Sequence, residues 1–239
     1  MSDKEAAVIV GVGPGLGAAL ARRFSAAGLL VAIAGRDQSK VRDIATAIGP
    51  DVHAYGCDVT VEDQVEQLFD AVQRELGAPS IAIHNVGAYL RKSILESTKD
   101  DLEMCWRLCC LGGFLVGRAA ARIMVPRGRG TILFTGATSS LRGAALFHNN
   151  AVAKFGVRAI SQSMARELQP MGVHVAHVVI DGAIESEHLR SVLDKRDPNT
   201  FLPPDDIAEA YYQLHRQHRG AWTQEIDLRP SNSINPRSC

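Results

Sequence analysis

Short apolar runs alternate with longer amphipathic segments along most of the chain. Seven runs of four to eight residues, several of them rich in β-branched side chains, predict buried strands. They are AAVIV (6–10), LLVAIA (29–34), VHAYG (52–56), SIAIH (80–84), TILFTG (131–136), VHVAHVVI (173–180) and EIDL (225–228). Most of these runs are apolar without alternation, which is typical of parallel strands covered on both faces.

Segments whose apolar residues recur every three or four positions separate these runs and predict helices. They are GLGAALARRFSAAG (15–28), VRDIATAIG (41–49), EDQVEQLFDAVQREL (62–76), DDLEMCWRLCCLGGFLVGRAAARIM (100–124) and AVAKFGVRAISQSMAREL (151–168). This order predicts an α/β fold, a Rossmann-type doubly wound parallel sheet of about seven strands with helices on both faces. No linker rich in Pro, Gly or Ser divides the chain, so we expect one domain over residues 1–239.

A glycine-rich segment, GVGPGLG (11–17), lies between the first predicted strand and the first predicted helix. The glycines Gly11, Gly15 and Gly17 allow a tight turn and let backbone N–H groups approach a pyrophosphate at the start of the helix. The spacing differs from the more common G-x-G-x-x-G. Because the segment occupies the first strand-to-helix junction, it predicts a dinucleotide-binding site.

The second predicted strand ends in AIAGRD (32–37), about 20 residues beyond the glycine segment. An acidic residue here would bond the ribose 2′-hydroxyl of NAD, but the chain has Gly35 followed by Arg36. A guanidinium can pair with a 2′-phosphate, and glycine offers no carboxylate to repel it. The pattern favours NADP(H), and the alternative is a surface arginine that begins a loop.

Composition narrows the class of protein. The chain is 46% hydrophobic and 22% charged, and 26 basic side chains balance 26 acidic ones. This is a globular balance, and the zero net charge gives no reason to expect nucleic acid or an anionic membrane as partner. The start of the chain does not resemble a signal or transit peptide, and no uninterrupted apolar run of about 18 residues predicts a membrane span.

The five cysteines form an odd set without secretory context, so we expect free thiols in a reducing cytoplasm. They are Cys57, Cys105, Cys109, Cys110 and Cys239. No His or Cys at a usual ligand spacing completes a metal site with Cys105 and Cys109, so we expect no metal. His174 and His177 lie in an apolar predicted strand, where they are expected to be core residues.

One predicted helix carries a lysine among small and apolar neighbours. In FHNNAVAKF (147–155), Asn150 and Lys154 are four residues apart and project from the same side of a helix. Two interpretations are open. Lys154 is either a solvated lysine beside a helix cap, or one of two polar groups aimed at the same ligand.

These spacings, together with CDV (57–59) and HNVG (84–87), resemble the short-chain dehydrogenase/reductase family over nearly the whole chain. The family's Pro-Gly loop is matched by DGAIES (181–186), with an aspartate in place of proline. The resemblance implies contacts to the pyrophosphate, adenine, ribose and nicotinamide of a bound NADP(H). The implied residues are Gly11, Gly15, Leu16, Gly17, Arg36, Asp58, Val59, Asn85, Gly87, Lys154 and Ser186.

The family's catalytic set is Asn, Ser, Tyr and Lys, and only the lysine is matched here. The family's tyrosine precedes the lysine by four residues, which gives Asn150, and its serine falls at Ala137. The family's asparagine falls at Cys109. The resemblance therefore implies an active-site helix that has lost its acid, with Lys154 and Asn150 as the remaining candidate catalytic residues.

Three functions are consistent with this set. The first is an NADP-dependent oxidoreductase that acts on a small carbonyl, alcohol or imine substrate with another proton donor. Candidate donors are ordered water, Lys154, His148, Ser139 and Tyr89. The second is a cofactor-binding protein without turnover that acts as a sensor or partner subunit. The third is non-redox chemistry in the same pocket.

The loops at 85–98 and 181–203 follow predicted strand ends and are expected to shape the substrate pocket. The family resemblance also implies a homodimer or homotetramer built on the helices around 100–125 and 150–169. Small side chains in the first of them would allow close approach. They are Gly112, Gly113, Gly117, Ala119, Ala120 and Ala121.

Overall fold

The computed structural model describes residues 4–186 and 200–232. Its main sheet contains β1 (Ala6–Val10), β2 (Leu30–Gly35), β3 (Val52–Gly56), β4 (Pro79–His84), β5 (Gly130–Thr135), β6 (Val173–Ile180) and β9 (Glu225–Leu228). These seven strands are all parallel and lie in the order β3-β2-β1-β4-β5-β6-β9. The predicted α/β sheet is confirmed, and the predicted strand ends differ by at most one residue.

Helices cover both faces of the sheet. They are α1 (Leu16–Ala26), α2 (Gln38–Ile48), α3 (Glu62–Glu75), α4 (Lys99–Trp106), α5 (Gly112–Met124), α6 (His148–Leu168) and α7 (Pro204–His215). Apolar residues of α1, α2 and α7 form one core cluster with one face of the strands, and those of α3, α4, α5 and α6 form a second cluster with the other. Strands between two such layers need apolar side chains on both sides, as the unbroken runs predicted.

A five-residue π-helical turn, Arg107–Leu111, joins α4 to α5. The helical stretch Lys99–Arg127 is long and apolar enough to cross a membrane by length and composition, although no span was expected from the sequence. Half of its most apolar window is buried, and residues such as Leu115 and Val116 pack in the core. It packs as a core helix of this fold.

The small residues of α5 point inward. A Cβ on Gly112 would lie 2.7 Å from the Val59 side chain, and one on Gly117 would lie 2.8 Å from the Phe134 ring. Their size therefore allows α5 to approach the sheet. The contact between subunits that was expected of them stays a prediction.

The stretch 181–203, expected to be irregular, contains a short parallel pair between β7 (Ala183–Ile184) and β8 (Phe201–Leu202). Cys239 lies outside the described residues. The four described cysteines are free and buried.

His174 and His177 are buried in β6, as expected of core residues. The Nε2 atom of His174 lies 2.8 Å from the carbonyl oxygen of Thr223. The Nδ1 atom of His177 lies 2.9 Å from Glu225 Oε2, and Arg158 of α6 donates two hydrogen bonds to the same carboxylate. Burial lowers the pKa of His177 to about 4 despite this carboxylate.

Candidate active site

Two adjoining cavities open at the carboxyl ends of the central strands, where ligands of doubly wound sheets bind. The first, of 860 Å³, follows β1, β2 and β3, and we call it the glycine-turn cavity. The second, of 590 Å³, follows β4, β5 and β6, and we call it the Lys154 cavity. They share Asn85, Val86 and Gly87, directly beside the point where the strand order reverses between β1 and β4.

The glycine turn packs tightly against its own surroundings at two positions. Gly11 has φ +92°, and a Cβ there would lie 2.8 Å from the carbonyl carbon of Asn85. A Cβ on Gly17 would lie 2.7 Å from Val12 Cα. Since neither site can hold a side chain without displacing backbone, these glycines let the turn and helix α1 sit against the ends of β1 and β4.

Other glycines face open space. A Cβ on Gly13, Gly15 or Gly87 would have no atom within 4 Å, and Gly15 gives α1 no side-chain cap. The first N–H groups of α1 are therefore available beside a surface without side chains, which fits a pyrophosphate. Of the predicted residues, Leu16 lines the Lys154 cavity, whereas Gly15 and Gly17 line neither cavity.

Arg36 lines the glycine-turn cavity at the end of β2. Its guanidinium has no hydrogen-bond or ion-pair partner among residues 4–186 and 200–232. Its neighbour Asp37 caps α2 by accepting from the Lys40 N–H, and it also accepts from the Ser39 hydroxyl. These contacts, with the Ser39 hydroxyl first, lower the pKa of Asp37 to about 2, so its carboxylate stays occupied at the helix start. The Arg36 guanidinium therefore remains available to a ligand.

The two residues expected beside the adenine, Asp58 and Val59, differ in whether they line the glycine-turn cavity. Val59 lines the glycine-turn cavity. Asp58 does not, and its carboxylate accepts from the backbone and hydroxyl of Thr60 at 2.9 and 2.8 Å. Ser186 is the last residue before the gap in the described part of the chain, and it lines neither cavity.

Asn85 links the glycine turn to the centre of the sheet. Its Nδ2 donates to the Gly11 carbonyl at 3.0 Å, and its Oδ1 accepts from the Thr135 hydroxyl at 3.1 Å. Since that hydroxyl has a single proton, it accepts in turn from the buried Tyr211 hydroxyl at 2.8 Å. This chain of bonds fixes Asn85 at the junction of the two cavities.

His84, which precedes this asparagine, is fully buried beneath α5. Neither ring nitrogen has a hydrogen-bond partner in the described part of the molecule. Burial, with the nearby Lys154 charge as a second cause, lowers the pKa of His84 to about 3. It is therefore a neutral core residue at neutral pH.

Lys154 is 6% exposed, so its interpretation as a solvated lysine is wrong. Its ammonium donates to the Thr135 carbonyl at 2.8 Å and to the Val86 carbonyl at 3.2 Å. Burial lowers its pKa. The side chain thus lies in the Lys154 cavity between the ends of β4 and β5.

Asn150, one turn earlier on α6, holds the loop after β4. Its Oδ1 accepts from the Leu90 N–H at 3.1 Å, and its Nδ2 donates to the Ala88 carbonyl. An amide nitrogen carries two protons, so a second N–H remains for the Lys154 cavity, which Asn150 also lines. The geometry gives it a positioning role, and its catalytic role stays a prediction.

Ala137 lines the same cavity after β5, and its N–H donates to the buried Ser140 hydroxyl at 3.1 Å. Of the other candidate proton donors, Ser139 and the 80%-exposed Tyr89 line the cavity. His148 does not line it, and its Nε2 lies 2.9 Å from the Ser97 hydroxyl. Cys109 is buried in the π-helical turn.

A family model of the short chain dehydrogenases matches residues 5–197. The chain belongs to the short-chain dehydrogenase family. Members are oxidoreductases that bind a nicotinamide cofactor, which agrees with the two cavities described above. This short-chain dehydrogenase is 33% identical over 175 residues to a (21S)-21-acetoxyl-apo-melianone synthase of Melia azedarach, and the match covers 72% of this chain and 65% of that protein.

Solved structures of the family share the fold. A short-chain dehydrogenase from Rhodopseudomonas palustris is 38% identical with a TM-score of 0.82, over 94% of this chain and 98% of that one. A metagenomic short-chain oxidoreductase in complex with NADP is 24% identical with a TM-score of 0.82, over 95% and 97% of the two chains.

Sequence reasoning missed three residues of the site, namely Arg142, Phe147 and Tyr211. Arg142 and Phe147 line the Lys154 cavity, and Tyr211 reaches it through Thr135. Arg142 is the only charged residue in GATSSLRGAALF (136–147), which was the available signal. No signal in the sequence pointed to Tyr211, because its hydrogen bond to Thr135 joins residues 76 positions apart.

Replacing Lys154 with methionine should lower the free energy of unfolding by about 1–3 kcal/mol, because the Thr135 and Val86 carbonyls lose a buried donor. Urea denaturation measures this. Lys99→Met is the matched control: its side chain is 87% exposed, so a change of about 0.5 kcal/mol at most is expected. Equal losses in the two variants would contradict a structural role for the Lys154 ammonium.

Proposed function

We propose that this protein is an NADP(H)-dependent oxidoreductase that transfers hydride to or from a small carbonyl, alcohol or imine substrate through an atypical active site. The observation that carries the proposal is the buried Lys154, which bonds the Val86 carbonyl where the two cavities meet. The family resemblance puts Asn150 and Ala137 at the positions of the family's tyrosine and serine. The bound nicotinamide supplies or accepts the hydride.

The chain's own residues divide the remaining work. Gly11, Gly17 and the open Gly15 shape the surface for the pyrophosphate, and Arg36 is placed for the 2′-phosphate. Lys154 would bond the ribose hydroxyls of the nicotinamide half while its carbonyl contacts hold it in place. Asn150 can offer one N–H to a substrate oxygen or nitrogen.

The amide of Asn150 does not titrate near neutral pH, so it cannot deliver a proton as an acid. General acid catalysis contributes about 10²- to 10⁴-fold, so ordinary carbonyl reduction should be slow here. An iminium substrate accepts hydride without prior proton transfer, and it suits a site of this kind. For carbonyl substrates, the candidate donors that line the cavity are the Lys154 ammonium, the Tyr89 phenol and the Ser139 hydroxyl.

A second function has its own supporting observation. Both polar atoms of Asn150 bond the backbone at Ala88 and Leu90, so the residue in the acid's position serves the loop. This favours a catalytically silent NADP(H)-binding protein that acts as a sensor or partner subunit. A cofactor-free reaction is disfavoured, because such a site would have no use for the glycine turn or Arg36.

Single-turnover oxidation of NADPH with a panel of aldehydes, ketones and cyclic imines tests the proposal. Oxidation with the imines, and slow or no oxidation with the carbonyls, is the expected result. Tight NADPH binding without oxidation by any member of the panel would favour the silent function, and no binding of either nicotinamide cofactor would refute both.

Arg36→Gln should weaken NADPH binding roughly 10- to 150-fold, the range for a lost charge-assisted contact, and leave NADH binding nearly unchanged. Titration by nucleotide fluorescence measures both cofactors. Arg42→Gln is the matched control, since Arg42 is exposed on α2 and lines only a cavity away from the glycine turn. Equal affinity of the wild type for the two cofactors would refute the preference.

The expected homodimer or homotetramer is proposed for an apolar surface on α4, α5 and α6. Four of its side chains, Trp106, Phe114, Val152 and Phe155, are 40–49% exposed in the single chain. Large exposed apolar side chains on neighbouring elements mark interaction surfaces. Sedimentation velocity of the wild type tests this, and a monomer at micromolar concentration would contradict it.

A further inference from the structure

The Lys154 cavity has an unbalanced charge. Among the residues that the structure describes, the basic side chains lining the cavity are Lys154 and Arg142, and no aspartate or glutamate lines it. Lys154 is satisfied by two carbonyls, as described above. Arg142 has no side-chain hydrogen bond, ion pair or ring contact with any residue that the structure describes. Within residues 4–186 and 200–232, the Arg142 guanidinium is therefore left without a protein partner and is available to a ligand.

The backbone that carries Arg142 is held in place. Its N–H bonds the Thr138 carbonyl at 3.3 Å, and the Thr138 hydroxyl donates to Asp181 at 2.6 Å. This ties the segment after β5 to the segment after β6. Asp181 itself does not line the cavity, and Arg229 lies 3.5 Å from its other carboxylate oxygen.

The walls near Arg142 are apolar. The Tyr89 and Phe147 rings pack edge to face with centroids 5.5 Å apart, and Ala144 and Ile184 line the same space. A guanidinium beside such walls is less well hydrated than one in open solvent, so an anion gains more by pairing with it. A planar carboxylate matches the two parallel N–H groups of the fork.

We propose that the substrate carries a carboxylate that pairs with Arg142, attached to an apolar or aromatic body that packs on Tyr89 and Phe147. The reacting carbon then lies toward Asn150 and Lys154. This assignment rests on the proposed oxidoreductase function for the reaction, but the anion preference of the cavity can be measured without turnover.

The test uses two probes of nearly equal shape, phenylacetate and phenylacetamide, titrated by calorimetry into the protein with and without saturating NADPH. The wild type should bind phenylacetate at least about 10-fold more tightly, the lower range for a charge-assisted pair. Arg142→Gln should remove this preference. Arg142→Lys should keep only part of it, because an ammonium lacks the two-pronged geometry.

Arg91→Gln is the matched control. Arg91 lies in the neighbouring loop, is exposed and does not line the cavity, so this variant should keep the full preference. Equal binding of the two probes to the wild type, no binding of either, or an equal loss in the Arg91 variant would overturn the proposal. Failure of NADPH to bind would instead count against the proposed function, since the probe preference is read in the free protein as well.

Discussion

Replacing Asn150 with tyrosine and Ala137 with serine should raise NADPH-dependent reduction of simple aldehydes and ketones by about 10²-fold or more. The phenol would stand one helical turn before Lys154, whose charge favours the phenolate and so lowers the phenol's pKa. The serine hydroxyl would polarise the carbonyl from the end of β5. Initial rates with a panel of small carbonyls at saturating NADPH measure the gain.

The substitution also removes the two bonds that hold the loop at Ala88 and Leu90, so the variant must first be shown to fold and to bind NADPH. Asn150→Phe with Ala137→Ser is the matched control, because it adds the same ring without the hydroxyl. If both double variants show the same rate, the gain does not come from an acid. Fast carbonyl reduction by the wild type that is lost in the tyrosine variant would show that the site uses another donor.

The protein should lose several kcal/mol of stability between pH 6.5 and about 4, in part because the buried histidines His84 and His177 resist protonation. Burial lowers the pKa of His84 to about 3 and that of His177 to about 4, from an ordinary value of 6.5. Below pH 6.5 the unfolded chain therefore binds protons that the folded chain does not, and the free energy of unfolding falls with falling pH. Above pH 6.5 both states are neutral at these sites, and this contribution to the pH dependence ends.

Within this window each histidine lowers stability by about 1.4 kcal/mol per pH unit, so the pair removes on the order of 5 kcal/mol by pH 4. The free energy of unfolding of a typical domain is about 5–15 kcal/mol. Urea denaturation at a series of pH values measures the slope. His84→Asn removes one of these groups and should make the slope shallower; parallel curves for variant and wild type would contradict the assignment.

The sheet was predictable because each strand is encoded in a short continuous run, and burial on both faces leaves no competing pattern. The π-helical turn at Arg107–Leu111 was not, because its side chains follow the same apolar spacing as the helices on either side. The glycine turn and Arg36 could be located because each is encoded in a short continuous stretch of the chain directly after a strand. The hydrogen bond between Asn150 and Leu90 could not be predicted, because it depends on the position of a loop 60 residues away in the sequence.

Thr135 sets a limit on how this protein can diverge. Its carbonyl bonds Lys154 from one side of the sheet, while its hydroxyl joins Asn85 and Tyr211 on the other. An insertion or deletion of one residue in β5 would exchange the two sides and break all three links at once. Insertions and deletions should therefore be tolerated in the loops around the Lys154 cavity. In β5 they should be eliminated by selection. Lineages of this protein can therefore vary these loops in length while inheriting β5 at a constant length.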